Sequence, residues 1–220
     1  MTETEPTPRW QRRADERPQE ILDAALAVFV ERGFAAARLE EVAKRAGVSK
    51  GTVYLYFSGK EDLLKALVQS AILPQLENIE ALARDHSGSS RELLIKMVDA
   101  MWRGIALSPL SGIPKLMLSE AGNFPELARF FLEAVIQRHW ALMRRVMEDG
   151  MERGEFRRLP SDLAVRIFIA PMMMAVFWKH SFMPLEEQPL DMARYFDVAL
   201  EMSLASIAAQ AANTLERKDS

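Results

Sequence analysis

The stretch from Leu39 to Phe57 permits very few folds. Leu39, Val42, Ala43 and Ala46 recur at i, i+3, i+4 and i+7, the apolar face of one short helix. Gly47 ends it, where a residue free to adopt positive φ allows a sharp turn. Ser49 can cap the next helix through its hydroxyl, and Val53 with Phe57 gives that helix a single buried stripe before Ser58-Gly59 interrupts it. Two short helices across a tight turn, the second rich in polar, basic and aromatic side chains, form the arrangement that reads the major groove of DNA.

The flanking sequence extends this pattern. Upstream, Ile21, Leu22, Ala25, Val28 and Phe29 make an apolar helical face ended by Gly33, while residues 1–16 show no such stripe and read as a mobile arm. Downstream, Ser58-x-x-Glu61 has the form of a capping box at the start of a fourth helix, with Leu63, Leu64, Leu67, Val68 and Ala71 on its buried side. Pro74 is expected to kink or break that helix. Later starts are marked by Ser89-x-x-Glu92, Pro114, Asn123 with Pro125, Ser161 after Pro160, and Pro189 with Asp191. No run of alternating β-branched residues with hairpin turns intervenes. The expectation is an all-α chain: an arm at 1–16, a three-helix helix-turn-helix domain at 17–58, and a larger helical bundle at 59–220.

Composition narrows the function. There is no Cys, which removes disulfides, zinc-thiolate sites and thiol nucleophiles. The N-terminal stretch lacks the apolar core of a secretory signal. The longest apolar run, Ile167 to Trp178, is too short to span a bilayer and carries Pro171, so the protein is expected in the cytoplasm. Net charge is −3, but its distribution matters more. Lys44, Arg45, Lys50 and Lys60 fall in a stretch without Asp or Glu, and Arg9, Arg12, Arg13 and Arg17 crowd the entry to the first helix. The rest of the chain is net acidic, the asymmetry of a protein that touches phosphates at one end. His86, His139 and His180 show no metal-binding spacing, no phosphate loop is present, and no cofactor is called for. An enzyme is therefore the disfavoured class.

The chain resembles the TetR family of transcriptional regulators through Ile21-Leu-Asp-Ala-Ala, Gly33-Phe34, Ala46-Gly-Val-Ser-Lys-Gly-Thr-Val-Tyr, Tyr56-Phe57 and Lys60-Glu-Asp-Leu-Leu64. The likeness covers roughly the first 65 residues. It implies that Lys50 and Gly51 open the recognition helix toward base edges, lysine donating to guanine and glycine admitting the backbone. It also implies that Ser49, Thr52, Tyr54, Tyr56 and Lys60 hold phosphates or sugars. Two positions depart from the family pattern. Ala37-Arg38 stands where a hydroxyl cap is usual, leaving Arg38 to meet the phosphate by charge and weakening the helix start by about 1 kcal/mol. Leu55 occupies a position that is often polar.

The resemblance further implies a homodimer on operator DNA that responds to a small hydrophobic effector. In the body, Trp102, Met117, Phe130, His139, Trp140, Met143, Met173 and Phe177 are the candidate pocket lining, since Met repacks around irregular ligands and Trp or His adds a polar handle. Met192, Phe196, Ala199, Ser203 and Ile207 share one face of the last helical segment and are the candidate dimer interface. The reading is a repressor released from a palindromic operator by a small apolar ligand. A helix-turn-helix binder without an effector, or a small helical enzyme, is the alternative.

Overall fold

The chain enters helix earlier than its apolar stripe suggests. The computed structural model describes residues 9–209, with side chains from Arg17 onward. Helix α1 runs Arg9–Arg32, so residues 9–16 of the expected arm are helical backbone, while 1–8 lie outside the described residues. Arg, Gln, Ala and Glu are good helix formers and need no apolar stripe to turn, which is why a search for periodicity misses them.

The helices that follow are α2 (Leu39–Arg45), α3 (Lys50–Tyr56), α4 (Lys60–Leu67), α5 (Leu73–Asp85) and α6 (Ser90–Met101). Beyond them come α7 (Gly112–Glu120), α8 (Pro125–Phe131), α9 (Arg138–Glu152), α10 (Ser161–Lys179) and α11 (Met192–Ile207). No β-strand occurs among the described residues, only an isolated antiparallel bridge between Phe156 and Ala208. The all-α fold is as expected.

Several starts obey the sequence signals, and that of α4 does not. Ser89 and Glu92 form a complete capping box on α6, and Asp191 accepts from the Ala193 and Arg194 N–H groups at α11. At α4 the expected Ser58–Glu61 box is absent. Gly59 is the N-cap, and the Ser58 N–H and hydroxyl both donate to Asp62 Oδ2, at 2.9 and 3.2 Å. The reciprocal carboxylate is present but shifted one residue along. At Pro74, where a kink or break is expected, the chain stays helical but changes its winding: a π-helical turn at Val68–Ile72 separates α4 from α5, which begins at Leu73, and accommodates the missing proline donor.

The chain divides into two compact units, and the division is not the expected one at 58/59. The first unit takes Met1–Pro74 together with Ser108–Leu132, and the second takes Gln75–Leu107 with Glu133–Ser220. Sequence continuity could not reveal that α7 and α8 return to the first unit. In that unit Ile21, Ala25, Phe29, Phe34, Val42, Val53, Leu63 and Leu64 are buried together with Ile113, Leu116 and Leu127. Helix α7 packs closely on α1, since a Cβ at Gly112 would stand 2.3 Å from Val30 Cγ2.

In the second unit α6 packs on α9, α9 on α10 and α10 on α11. Its core holds Leu94, Met97, Met143, Met147, Phe168 and Val176. Helix α10 is long enough and apolar enough to cross a membrane, with a mean hydropathy of 1.5, a correction to the sequence estimate of its length. Here one side of it sits in the core through Ala164, Val165, Phe168, Met172, Ala175 and Val176.

Candidate nucleic-acid interface

The recognition face is built by splitting α3 into two sides. Val53 and Phe57 are buried against the first unit's core, and Lys50, Gly51, Tyr54, Leu55 and Tyr56 are exposed. Gly47 adopts φ +65° with nothing within 4 Å of a built Cβ, so the turn between α2 and α3 needs glycine for its backbone and not for space. Ser49 caps α3, its Oγ accepting from the Thr52 N–H at 3.0 Å and lying 2.8 Å from Thr52 Oγ1. Arg38 stands at the N-cap of α2 with no side-chain cap bond, as the missing hydroxyl implies.

Lys50 is already engaged on this face. The Lys50 ammonium pairs with the Glu40 carboxylate of α2 and lies 5.7 Å from the centre of the Tyr54 ring. That hydrogen bond lowers the Glu40 pKa and raises that of Lys50. A base or phosphate that met Lys50 would have to displace Glu40. Nothing in the residue pattern singled out Glu40, because the pairing depends on the angle between α2 and α3.

Lys60 departs further from expectation. Its Nζ donates to the Phe34 and Ala35 carbonyls at 2.9 Å each, and it lies 4.9 and 5.5 Å from the Phe34 and Phe124 ring centres. It fastens the start of α4 to the loop after α1, and Glu120 takes the Ala35 N–H at 3.2 Å from the α7 side. Lys60 is a clamp inside the first unit, its ammonium committed to two backbone carbonyls instead of a phosphate.

The candidate pocket residues are divided between the two units. Met117 and Phe130 belong to the first unit, Met117 in its core and Phe130 with the Lys65 ammonium 5.9 Å from its ring centre. The other six are in the second unit. Trp102 and Met143 are buried in its core, with Trp102 stacked on Phe196 at 4.7 Å. Met173 and Phe177 are half-buried on α10. Trp140 opens onto a surface groove of about 370 Å³ beside Arg144 and Asp162, with the Arg166 guanidinium 3.9 Å from its ring centre. His139 is half-buried, but its Nδ1 is closed off without a protein partner, and burial pushes its pKa down to about 4.

The expected dimer face is likewise corrected. Phe196, Ala199, Ser203 and Ile207 are buried within their own chain and Met192 is half-buried. Phe196 stacks on Trp102, and the Ser203 hydroxyl donates to the Phe168 carbonyl at 3.1 Å. An apolar stripe on a helix marks the side that gets covered, and here the same subunit covers it.

A helix-turn-helix with an exposed basic and aromatic α3, followed by helical bundles, defines a class of DNA-binding regulator, and comparison with known proteins gives its family. The profile described as bacterial regulatory proteins, tetR family, matches residues 21–67, and that described as the tetracyclin repressor-like C-terminal domain matches residues 84–193. The chain belongs to the tetR family of bacterial regulatory proteins, helix-turn-helix regulators of transcription. It is 38% identical over 89 residues to the HTH-type transcriptional regulator SrpR of Pseudomonas putida, which is 40% of this chain and 41% of that protein. To the HTH-type transcriptional activator FasR of Mycolicibacterium smegmatis it is 51% identical over 55 residues, 25% of each chain. The match thus spans less than half of SrpR and a quarter of FasR. Among solved structures, the fatty acid degradation regulator FadR from Bacillus halodurans superposes with a TM-score of 0.71 at 26% identity, covering 86% of this chain and 98% of that one.

Proposed function

We propose that this chain is a cytoplasmic, homodimeric repressor that binds a near-palindromic operator and is released from it by a small apolar ligand held in the second unit. The observation that carries the reading is the exposed face of α3, where Lys50, Gly51, Tyr54 and Leu55 stand clear of the core that Val53 and Phe57 occupy. Lys50 and Gly51 read base edges, and Arg38, Ser49, Thr52, Tyr54 and Tyr56 contact the backbone. Half-site centres lie about one helical turn, or a multiple of it, apart.

Dimerisation uses the faces of α10 and α11 left uncovered. Leu163, Ile167, Ala170 and Met174 follow one another at helical spacing along α10, and Val198 and Met202 do so on α11. Ile167 is 67% exposed and Met202 68%. Two such helix pairs from two chains make a four-helix interface. FadR is a regulator of fatty acid degradation, a likeness that supports an apolar effector.

Selection of binding sites from random duplexes, followed by footprinting of Lys50→Ala, tests the reading. A two-fold symmetric site should emerge, and the variant should bind it roughly 10- to 100-fold more weakly with relaxed preference at one position of each half-site. An unchanged affinity and site preference would remove Lys50 from base reading. Operator binding that no hydrophobic compound alters would favour the binder without an effector.

A further inference from the structure

Among the described residues of the second unit three side-chain polar atoms are buried without a protein partner: the Trp102 indole Nε1, the His139 Nδ1, and the Glu186 Oε2 of a carboxylate whose other oxygen accepts from Trp178. The first two are brought to the same level by the way α6 and α9 run. The Ser90 and Arg91 N–H groups donate to Glu155 at 3.2 and 2.9 Å, and a Cβ at Gly150 would stand 3.0 Å from Ser90 Cβ. The start of α6 therefore lies beside the end of α9, so the two helices, which pack on one another, run antiparallel. From Ser90 to Trp102 and from Gly150 back to His139 the rise is about 17 Å on either helix.

A π-helical turn adjoins each of the two residues. Trp102 is the first residue of the turn Trp102–Ala106, and His139 follows the turn Leu132–Gln137 by two residues. Such turns are uncommon and concentrate at functional sites. The packing around them is adaptable, since Met143, Met147 and Met172 belong to the same core as Trp102 and Phe196.

We propose that this layer, between Trp102 and His139, binds a compact neutral guest bearing a hydroxyl group, a phenol or an alcohol with an apolar body. The proposal rests on the sensor reading above and gives its ligand a chemistry. The indole N–H only donates, so the guest must offer an acceptor. A neutral imidazole nitrogen takes or gives a hydrogen bond according to tautomer, and a hydroxyl is the smallest group that answers both atoms at once. An anionic guest is disfavoured because the cation next to each of the two residues in the chain is already paired. Arg138, beside His139, makes a two-pronged bond to Glu80 at 2.6 and 2.7 Å, and Arg103, beside Trp102, pairs with Asp99 at 2.8 Å. Two buried polar groups without partners are costly to keep, and a guest that satisfies both recovers that cost on binding.

Isothermal titration of the full-length protein with 2-naphthol, naphthalene and 2-naphthoate tests this. 2-Naphthol should bind about tenfold or more tightly than either of the other two, the difference one to two buried hydrogen bonds make. Trp102→Phe and His139→Leu should each cut that preference to within about threefold. Melting curves check that both variants are folded, and either one alone decides the matter. Equal binding of naphthalene and 2-naphthol, a preference that survives both substitutions, or no binding by any of the three would overturn the proposal. Binding of 2-naphthol with the expected selectivity but no change in operator affinity would leave this site standing and remove the sensor role.

Discussion

Single residues on the recognition face set how strongly the protein meets DNA. Glu40 holds the Lys50 ammonium and places a negative charge beside the surface that approaches phosphate. Glu40→Ala should therefore raise operator affinity several-fold at low salt, with the gain shrinking as salt rises, because exposed charges are screened. Fluorescence anisotropy at several salt concentrations measures it, and weaker binding by the variant would mean that the pair positions Lys50 for its base. In the second unit, His139 stays neutral in the folded protein down to about pH 4, against 6.5 for an ordinary imidazole. Between those values the unfolded chain binds a proton that the folded one refuses, so stability falls as the solution is acidified. The loss through this window should be about 3 kcal/mol greater for the wild type than for His139→Leu in urea titrations. Parallel pH profiles for the two proteins would show that the imidazole is solvated.

At the scale of helices, the side left bare carries the information. The inner side of α11 is consumed by Trp102 and the α10 backbone, so the surplus apolar surface is Leu163, Ile167 and Met174 on α10 with Val198 and Met202 on α11. Ile167→Glu combined with Met202→Glu should yield monomers by light scattering, and operator affinity should fall because each half-site then binds alone. Ala199→Glu and Ser203→Glu, aimed at the buried side, should instead lower the melting temperature, since they force a charge into the core. A dimer that survives the first pair of substitutions would place the interface elsewhere.

For the whole molecule, the relevant quantities are two coupled equilibria. The chain passes between its compact units at Pro74, Leu107 and Leu132, and each passage adjoins a π-helical turn: Val68–Ile72, Trp102–Ala106 or Leu132–Gln137. A ligand changes operator affinity only through a difference in its own affinity for the two states, typically 1 to 3 kcal/mol, or about 5- to 150-fold. Operator binding by a protein with basic residues concentrated at one end should fall about a hundredfold or more between 50 and 200 mM salt. The fold-reduction caused by an effector should stay nearly constant over the same range, as anisotropy titrations with and without it would show. If salt abolishes the reduction, the compound competes at the DNA face instead of acting through the second unit.

The helices between Ile21 and Tyr56 are legible in the sequence because their structure is local. The α2 stripe, the Gly47 turn, the Ser49 cap and the short α3 each depend on neighbours within a few positions, and so does the α6 capping box. Local spacing also names which face of a helix is apolar, but not what covers it. Phe196 and Ser203 share such a face, and only the antiparallel packing of α6, α9, α10 and α11 turned it inward and left Ile167 and Met202 outside. The same packing put Trp102 level with His139 and carried Met117 and Phe130 into the other unit. Lys60 and Glu40 were decided in this way too, their partners lying 26 and ten residues away across a turn whose angle no side-chain pattern encodes.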